Sequence, residues 1–201
     1  MNKRLVILGA GGYGRVVEEI AAACGYSDMI FLDDAYESVA KASGPISSYT
    51  KYLTDCEFFV AIGNNAIRER ISEDLLRDGA EIVTIAHPSA VISKSAQIGK
   101  GAFVGAGVVV NTGAVIGDGV ILNTCCSVDH DCNVENYCHI SVGSHLAGTV
   151  NVGKGTFVCV GATVINNVSI CERCTIGAGA VVVNDITESG TYVGVPAKKI
   201  H

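Results

Sequence analysis

From Ile92 onward, every sixth residue is Ile, Leu or Val. The series runs Ile92, Ile98, Val104, Val110, Ile116, Leu122, Val128, Val134, Ile140, Leu146, Val152, Val158, Val164, Ile170, Ile176 and Val182, without a slip. Such residues fill about a third of the region, so sixteen successive hits are not chance. A period of six fits neither the 3.6-residue turn of a helix nor the two-residue alternation of a strand. It fits a triangular solenoid, a short strand and a corner repeated three times per coil, with the aliphatic side chain inside. Sixteen hexads make about five coils. Each coil buries its faces only against its neighbours, so the ends need caps, and Thr187 to His201 is the expected C-terminal one.

Two further slots of the hexad carry signal. The residue after each aliphatic is mostly small or turn-forming, as at Gly99, Gly105, Asn111, Gly117, Asn123, Asp129, Gly153 and Gly177, and is expected to permit the turn. Four residues after each aliphatic stands a compact residue: Ala96, Ala102, Val108, Ala114, Cys126, Cys132, Cys138, Ser144, Ala162, Cys174 or Ala180. Four of the nine cysteines are thereby core-filling thiols.

The remaining cysteines matter for compartment. An odd count in a chain with no secretory signal points to reduced thiols and a cytoplasmic protein. After Met1-Asn2-Lys3-Arg4, the apolar run Leu5 to Ala10 is too short for a signal-peptide core. No run of about 18 apolar residues is present, so no membrane span is expected. The net charge of −6, with no strongly basic stretch, gives no footprint for nucleic acid. Cys171-Glu172-Arg173-Cys174 is a CxxC without a second pair, so no metal is expected there.

Residues 1 to 86 read differently. Arg4 to Leu8 is a buried parallel strand, Arg15 to Cys24 a helix, Met29 to Leu32 and Phe58 to Ile62 further strands. Ala66 to Arg77 is a helix stopped by Gly79, and Ile82 to Ile85 a last strand. The alternation predicts a small α/β, Rossmann-like domain over 1–86, followed by the β-helix over 87–201. Gly9, Gly11 and Gly14 fit G-x-G-x-x-G, with Asp33 and Asp34 about twenty residues on. Bare amides at a helix start suit a diphosphate. A domain of about 85 residues is half a dinucleotide fold, which favours a nucleotide sugar over NAD; a loop that merely packs is the plainer alternative.

Taken together, Gly9-Ala10-Gly11-Gly12-Tyr13-Gly14, Phe31-Leu32-Asp33-Asp34, Phe58 to Asn65, Asn123-Thr124, Asp129-His130-Asp131, Ser141-Val142-Gly143 and Gly194 to Lys198 resemble a known family over nearly the full length. It is the nucleotide-sugar 4-amino N-acetyltransferases of the left-handed β-helix, hexapeptide-repeat superfamily. The likeness is greatest to those of the UDP-N-acetylbacillosamine pathway, and sialic acid O-acetyltransferases share much of the layout. The resemblance implies acetyl-CoA as cosubstrate, no metal, and a homotrimer with its active sites between neighbouring chains. It implies His130 as catalytic base with Asp131 raising its basicity. It places the nucleotide sugar at Gly11, Gly12, Tyr13, Asp33, Asp34 and Gly63, and acetyl-CoA at His139, Gly148, Val160 and Ala178. Tyr13 departs from relatives that carry histidine there.

The chemistry needs such a base. A sugar ammonium has no lone pair, so attack on a thioester requires a group of near-neutral pKa to take the proton, and imidazole suits best. Asp131 can orient His130 only if a corner turns the chain between them, because adjacent strand residues face opposite ways; Asp129 is the reserve partner. His139 and His145, six apart, are expected to stack on one face, where with His130 they form an alternative metal site. Other readings that stay open are O-acetylation of sialic acid, a GDP-linked amino sugar such as perosamine, and a β-helix that binds without catalysis.

Overall fold

The computed structural model describes residues 4–200, so the Met1 to Lys3 start and His201 of the expected cap lie outside the described residues. The chain divides into two compact units, one ending at Pro88 and the next beginning at Ser89.

The first unit is built on a parallel sheet. Its elements are β1 (Arg4–Leu8), α1 (Gly12–Ala23), β2 (Met29–Leu32), β3 (Cys56–Val60), α2 (Asn65–Arg77) and β4 (Glu81–Ile82). The strand order is β2-β1-β3-β4, all parallel. β1 is central, and Leu5 to Leu8 are fully buried, which is why the strand reads as an unbroken apolar run. Val6, Leu8, Leu32, Phe58, Val60, Ile71 and Leu75 share one core cluster. α1 begins three residues before the expected Arg15, taking in Gly12 and Gly14. α2 starts under the Asn64 cap, whose Oδ1 accepts from Ile67 N at 3.0 Å, and Gly79 at φ +82° follows its end. The expected strand Ile82 to Ile85 is two strands, Glu81–Ile82 and Ile85–Ala86. A short 3₁₀ helix, Ile46–Tyr52, precedes β3 and has no periodic apolar signal in the sequence.

The second unit is a parallel β-helix of two-residue strands on three faces. The first face stacks Phe103–Val104, Ile121–Leu122, His139–Ile140, Phe157–Val158 and Thr175–Ile176. The second carries six strands from Val91–Ile92 to Val181–Val182, and the third five from Gln97–Ile98 to Ser169–Ile170. Each strand pairs with the one 18 residues on, as Ser127 does with Val109 and His145. Val104, Leu122, Ile140, Val158 and Ile176 form one ladder of fully buried side chains. Burying each contributes about 1.5–3 kcal/mol. Cys126, Cys132, Cys138 and Cys174 are buried as expected. Thr191–Val193 adds to the first face and Lys198–Lys199 folds back antiparallel, closing the stack.

The corners correct one expectation. From Gly101 to Gly179 every sixth residue sits at positive φ, three places after the inward aliphatic; eight are glycine and six are Cys125, Asp131, Tyr137, Thr149, Asn167 and Arg173. The slot immediately after the aliphatic is not the left-handed one. Its glycines are there because coils approach closely: a Cβ on Gly153 would lie 2.7 Å from the carbonyl carbon of Cys171. His139 and His145 do not stack on one face as expected. They lie on the first and second faces, because a face repeats every 18 residues, not every six.

Candidate active site

The corner after Ser127–Val128 presents Asp129, His130 and Asp131. Asp131 takes φ +57°, turning the chain sharply, so its carboxylate returns to its neighbour and Oδ2 accepts from His130 Nδ1 at 2.9 Å. The corner that the orientation of the pair requires is therefore present. An ionised carboxylate only accepts, so Nδ1 carries the proton and Nε2 keeps its lone pair. The hydrogen bond donated to Asp131, with the charges of Asp129 and Asp131, holds His130 above the ordinary imidazole pKa. Its side chain is half exposed, at 52%.

Asp129 has a different task. Its Oδ1 accepts from the His130 amide at 2.8 Å and from Asn111 Nδ2 at 2.7 Å, one coil earlier. These bonds, Asn111's first, hold its carboxyl below the usual range. The hexad pattern marks Asn111 only as a small or turn-forming residue. Its 18-residue spacing from Asp129 is the signal that marks it.

His139 stands on the first face. Its ring stacks on Phe157 at 4.8 Å between centroids and 28° between planes. Asn123 Oδ1 accepts the Thr124 amide at 2.8 Å, which turns Nδ2 toward His139 Nε2 at 3.3 Å. His145 makes its own bond, Nδ1 to Ser127 Oγ, at 2.9 Å. Val160 and Ala178 are 18 apart on one corner column, beside Gly161 and Gly179, whose bare faces meet no atom within 4 Å. Gly148 belongs to the His130 column, one coil on, and a Cβ there would overlap the imidazole. Among the described residues no group of three or more His, Cys, Asp or Glu is arranged to hold a metal ion.

In the first unit the fingerprint glycines divide by role. Gly9, at φ +111°, has no room for a Cβ, which would come 2.6 Å from Ala61 O, and a Cβ on Gly14 would collide with Gly9 O. These two let loop, strand and helix close up. Gly11 and Gly12 are exposed at the start of α1; Gly11 faces open space, and a Cβ on Gly12 would lie 3.8 Å from Arg15 Nη2, an arrangement that suits an anion. The strand-end acids both bind backbone: Asp33 Oδ2 accepts from Ala10 N at 2.8 Å and Oδ1 from Ala35 N at 2.9 Å, and Asp34 Oδ1 accepts from Ile46 N at 2.9 Å. Asp33 thus shapes the glycine loop. Gly63 is exposed, and its carbonyl accepts from the buried Arg68 guanidinium, which also bonds Ile62 O and Asn65 Oδ1. The Tyr13 hydroxyl is buried on the Arg68 side, and burial pushes its pKa up. Beside Asp34 a cavity of about 300 Å³ is lined by Ile46, Ser47, Tyr49, Arg70, Ile71 and Asp74.

Comparison with known proteins finds similarity along both units. Residues 4–75 match the family model of the PglD N-terminal domain. A UDP-N-acetylbacillosamine N-acetyltransferase of Bacillus subtilis (strain 168) is 34% identical over 101 residues, 46% of this chain and 47% of that protein. The chain spans about half the length of the curated relatives it matches. The acetyltransferase domain of PglB from Neisseria gonorrhoeae FA1090, solved with acetyl coenzyme A, superimposes with a TM-score of 0.93 at 39% identity, covering 100% of both chains. PerB from Caulobacter crescentus, solved with CoA and GDP-perosamine, gives 0.93 and 39%, covering 98% of this chain and 97% of that one. Likeness of this degree, along the whole length of both units, shows that the chain belongs to the PglB and PerB family of hexapeptide-repeat β-helix acetyltransferases.

Proposed function

We propose that the protein transfers acetyl from acetyl-CoA to the 4-amino group of a UDP-linked 4-amino-4,6-dideoxy sugar. The observation that carries this is the His130–Asp131 pair, an imidazole with a free Nε2 and raised basicity at an exposed corner. Support for the donor comes from the relative solved with acetyl coenzyme A, and for the acceptor from relatives named for nucleotide-linked amino sugars.

The reaction balances without a covalent enzyme intermediate. The neutral amine attacks the thioester carbon, and His130 Nε2 takes a proton from the nitrogen as the C–N bond forms. The C–S bond then breaks, and the imidazolium returns the proton to the departing CoA thiolate. Asp131 stabilises the imidazolium and keeps the productive tautomer. His139, Gly148, Val160 and Ala178 contact acetyl-CoA. Gly11, Gly12, Tyr13, Asp33, Asp34 and Gly63 form the nucleotide site, with Asp33 acting through the glycine loop that it holds. The protein works as a cytoplasmic homotrimer.

A GDP-linked amino sugar such as perosamine is a second reading of the acceptor, favoured by the equal identity to PerB and PglB. Measuring CoA release with a panel of UDP-linked and GDP-linked 4-amino sugars and with sialic acid decides among them. The reading expects the highest kcat/KM with a UDP-linked 4-amino sugar. Turnover of sialic acid alone, or of no acceptor, overturns it.

A further inference from the structure

The column of corner residues that contains His130 runs Lys94, Thr112, His130, Gly148 and Asn166, one per coil. Gly148 alone lacks a side chain. Its backbone does not ask for glycine: it is absent from the residues at positive φ, and the same slot accepts Lys, Thr, His and Asn in other coils. What a side chain there would meet is the imidazole of His130, which must move aside to admit it. A Cβ on Gly148 would lie 2.6 Å from Cε1 and 3.0 Å from Cδ2, and would overlap Nε2. The ring therefore lies flat against the bare backbone of the next coil with its reactive nitrogen over Gly148. The coils are held at this spacing by the bond from Thr149 N to His130 O at 2.8 Å.

We propose that Gly148 is a positioning residue, the seat that keeps the His130 ring on Asp131 and aims Nε2 at the reacting amine. This rests on His130 as the general base. The ring is half exposed, so without the seat it has room to swing outward at little cost to the fold. The charged groups facing it are Asp129 and Asp131 of its own corner. The corners on either side, Asn111 to Gly113 and Ala147 to Thr149, carry neutral side chains.

The test is Gly148→Ala, followed in the ligand-free protein by NMR titration of the His130 ring. The expected result is a midpoint displaced acidward, toward the ordinary imidazole value, as the bond to Asp131 loosens. In turnover, kcat falls by about tenfold or more while the acceptor KM changes by less than about twofold. An unmoved titration overturns the proposal, including the case in which activity falls only because the methyl group blocks CoA. The titration needs no substrate, so it answers even if no amino sugar is turned over and the proposed function fails. Should Gly148→Ala lower the melting temperature, the same change in a His130→Ala background is expected to cost nothing. An equal loss in both backgrounds shows that the backbone, not the ring, requires glycine, and overturns the seat.

Discussion

An imidazole bound through Nδ1 to a carboxylate offers its other nitrogen as a base, and its pKa sets where the enzyme works. His130 sits above its ordinary value because of Asp131 first, with the charge of Asp129 adding. The base must be neutral to accept a proton, so kcat/KM falls as pH drops below that raised pKa. Asp131→Asn removes the charged acceptor and lowers the pKa. Its acid limb is expected to move to lower pH, with kcat down about tenfold or more because the tautomer is no longer enforced. A pH–rate profile with an unmoved limb contradicts the role given to Asp131. The cysteines divide at the same scale. Burial pushes the Cys126 thiol up to about 12, and Cys132 and Cys174 upward as well. Brief iodoacetamide treatment at neutral pH is expected to label the exposed Cys24 and Cys125 and spare those three, read by peptide mass spectrometry.

At the scale of the element, the corner is the unit, and it contains two kinds of glycine. Gly161, at φ +66° with open space around it, serves backbone conformation, and Gly153 serves close approach between coils. Gly161→Ala is expected to cost about 1–2 kcal/mol from the left-handed backbone. Gly153→Ala forces a methyl group into the next coil and is expected to cost about 2–3 kcal/mol. Thermal denaturation that ranks them in the opposite order rejects this division. The sequence could not show it. Residue size is visible in a hexad, but φ is not, and the left-handed slot hides its signature behind Cys125, Asp131, Tyr137, Thr149, Asn167 and Arg173. The inward aliphatics and the compact slot were legible because burial imposes an unbroken period. The His130–Asp131 pair was legible as a motif. Its Asn111 support and its Gly148 neighbour lie one coil away, a distance of 18 residues that a six-residue reading passes over. His139 and His145, six apart, fall on different faces for the same reason.

For the whole molecule, the coils supply a ladder of stacked strands and the α/β unit supplies a glycine loop whose exposed helix start, at Gly11 and Gly12, is the proposed nucleotide site. The proposed homotrimer is checked by sedimentation equilibrium, which is expected to return three times the chain mass; a monomer at micromolar concentration contradicts it. In the proposed reaction His130 accepts the amine proton while acetyl leaves CoA. It is tested most directly by the rate of CoA release with acetyl-CoA and a UDP-linked 4-amino-4,6-dideoxy sugar, wild type against His130→Ala. The expected outcome is turnover by the wild type and a loss of about 10²–10⁴-fold in kcat for the variant, with the fold intact by circular dichroism. Undiminished release by His130→Ala would place the proton on another group and contradict the claim.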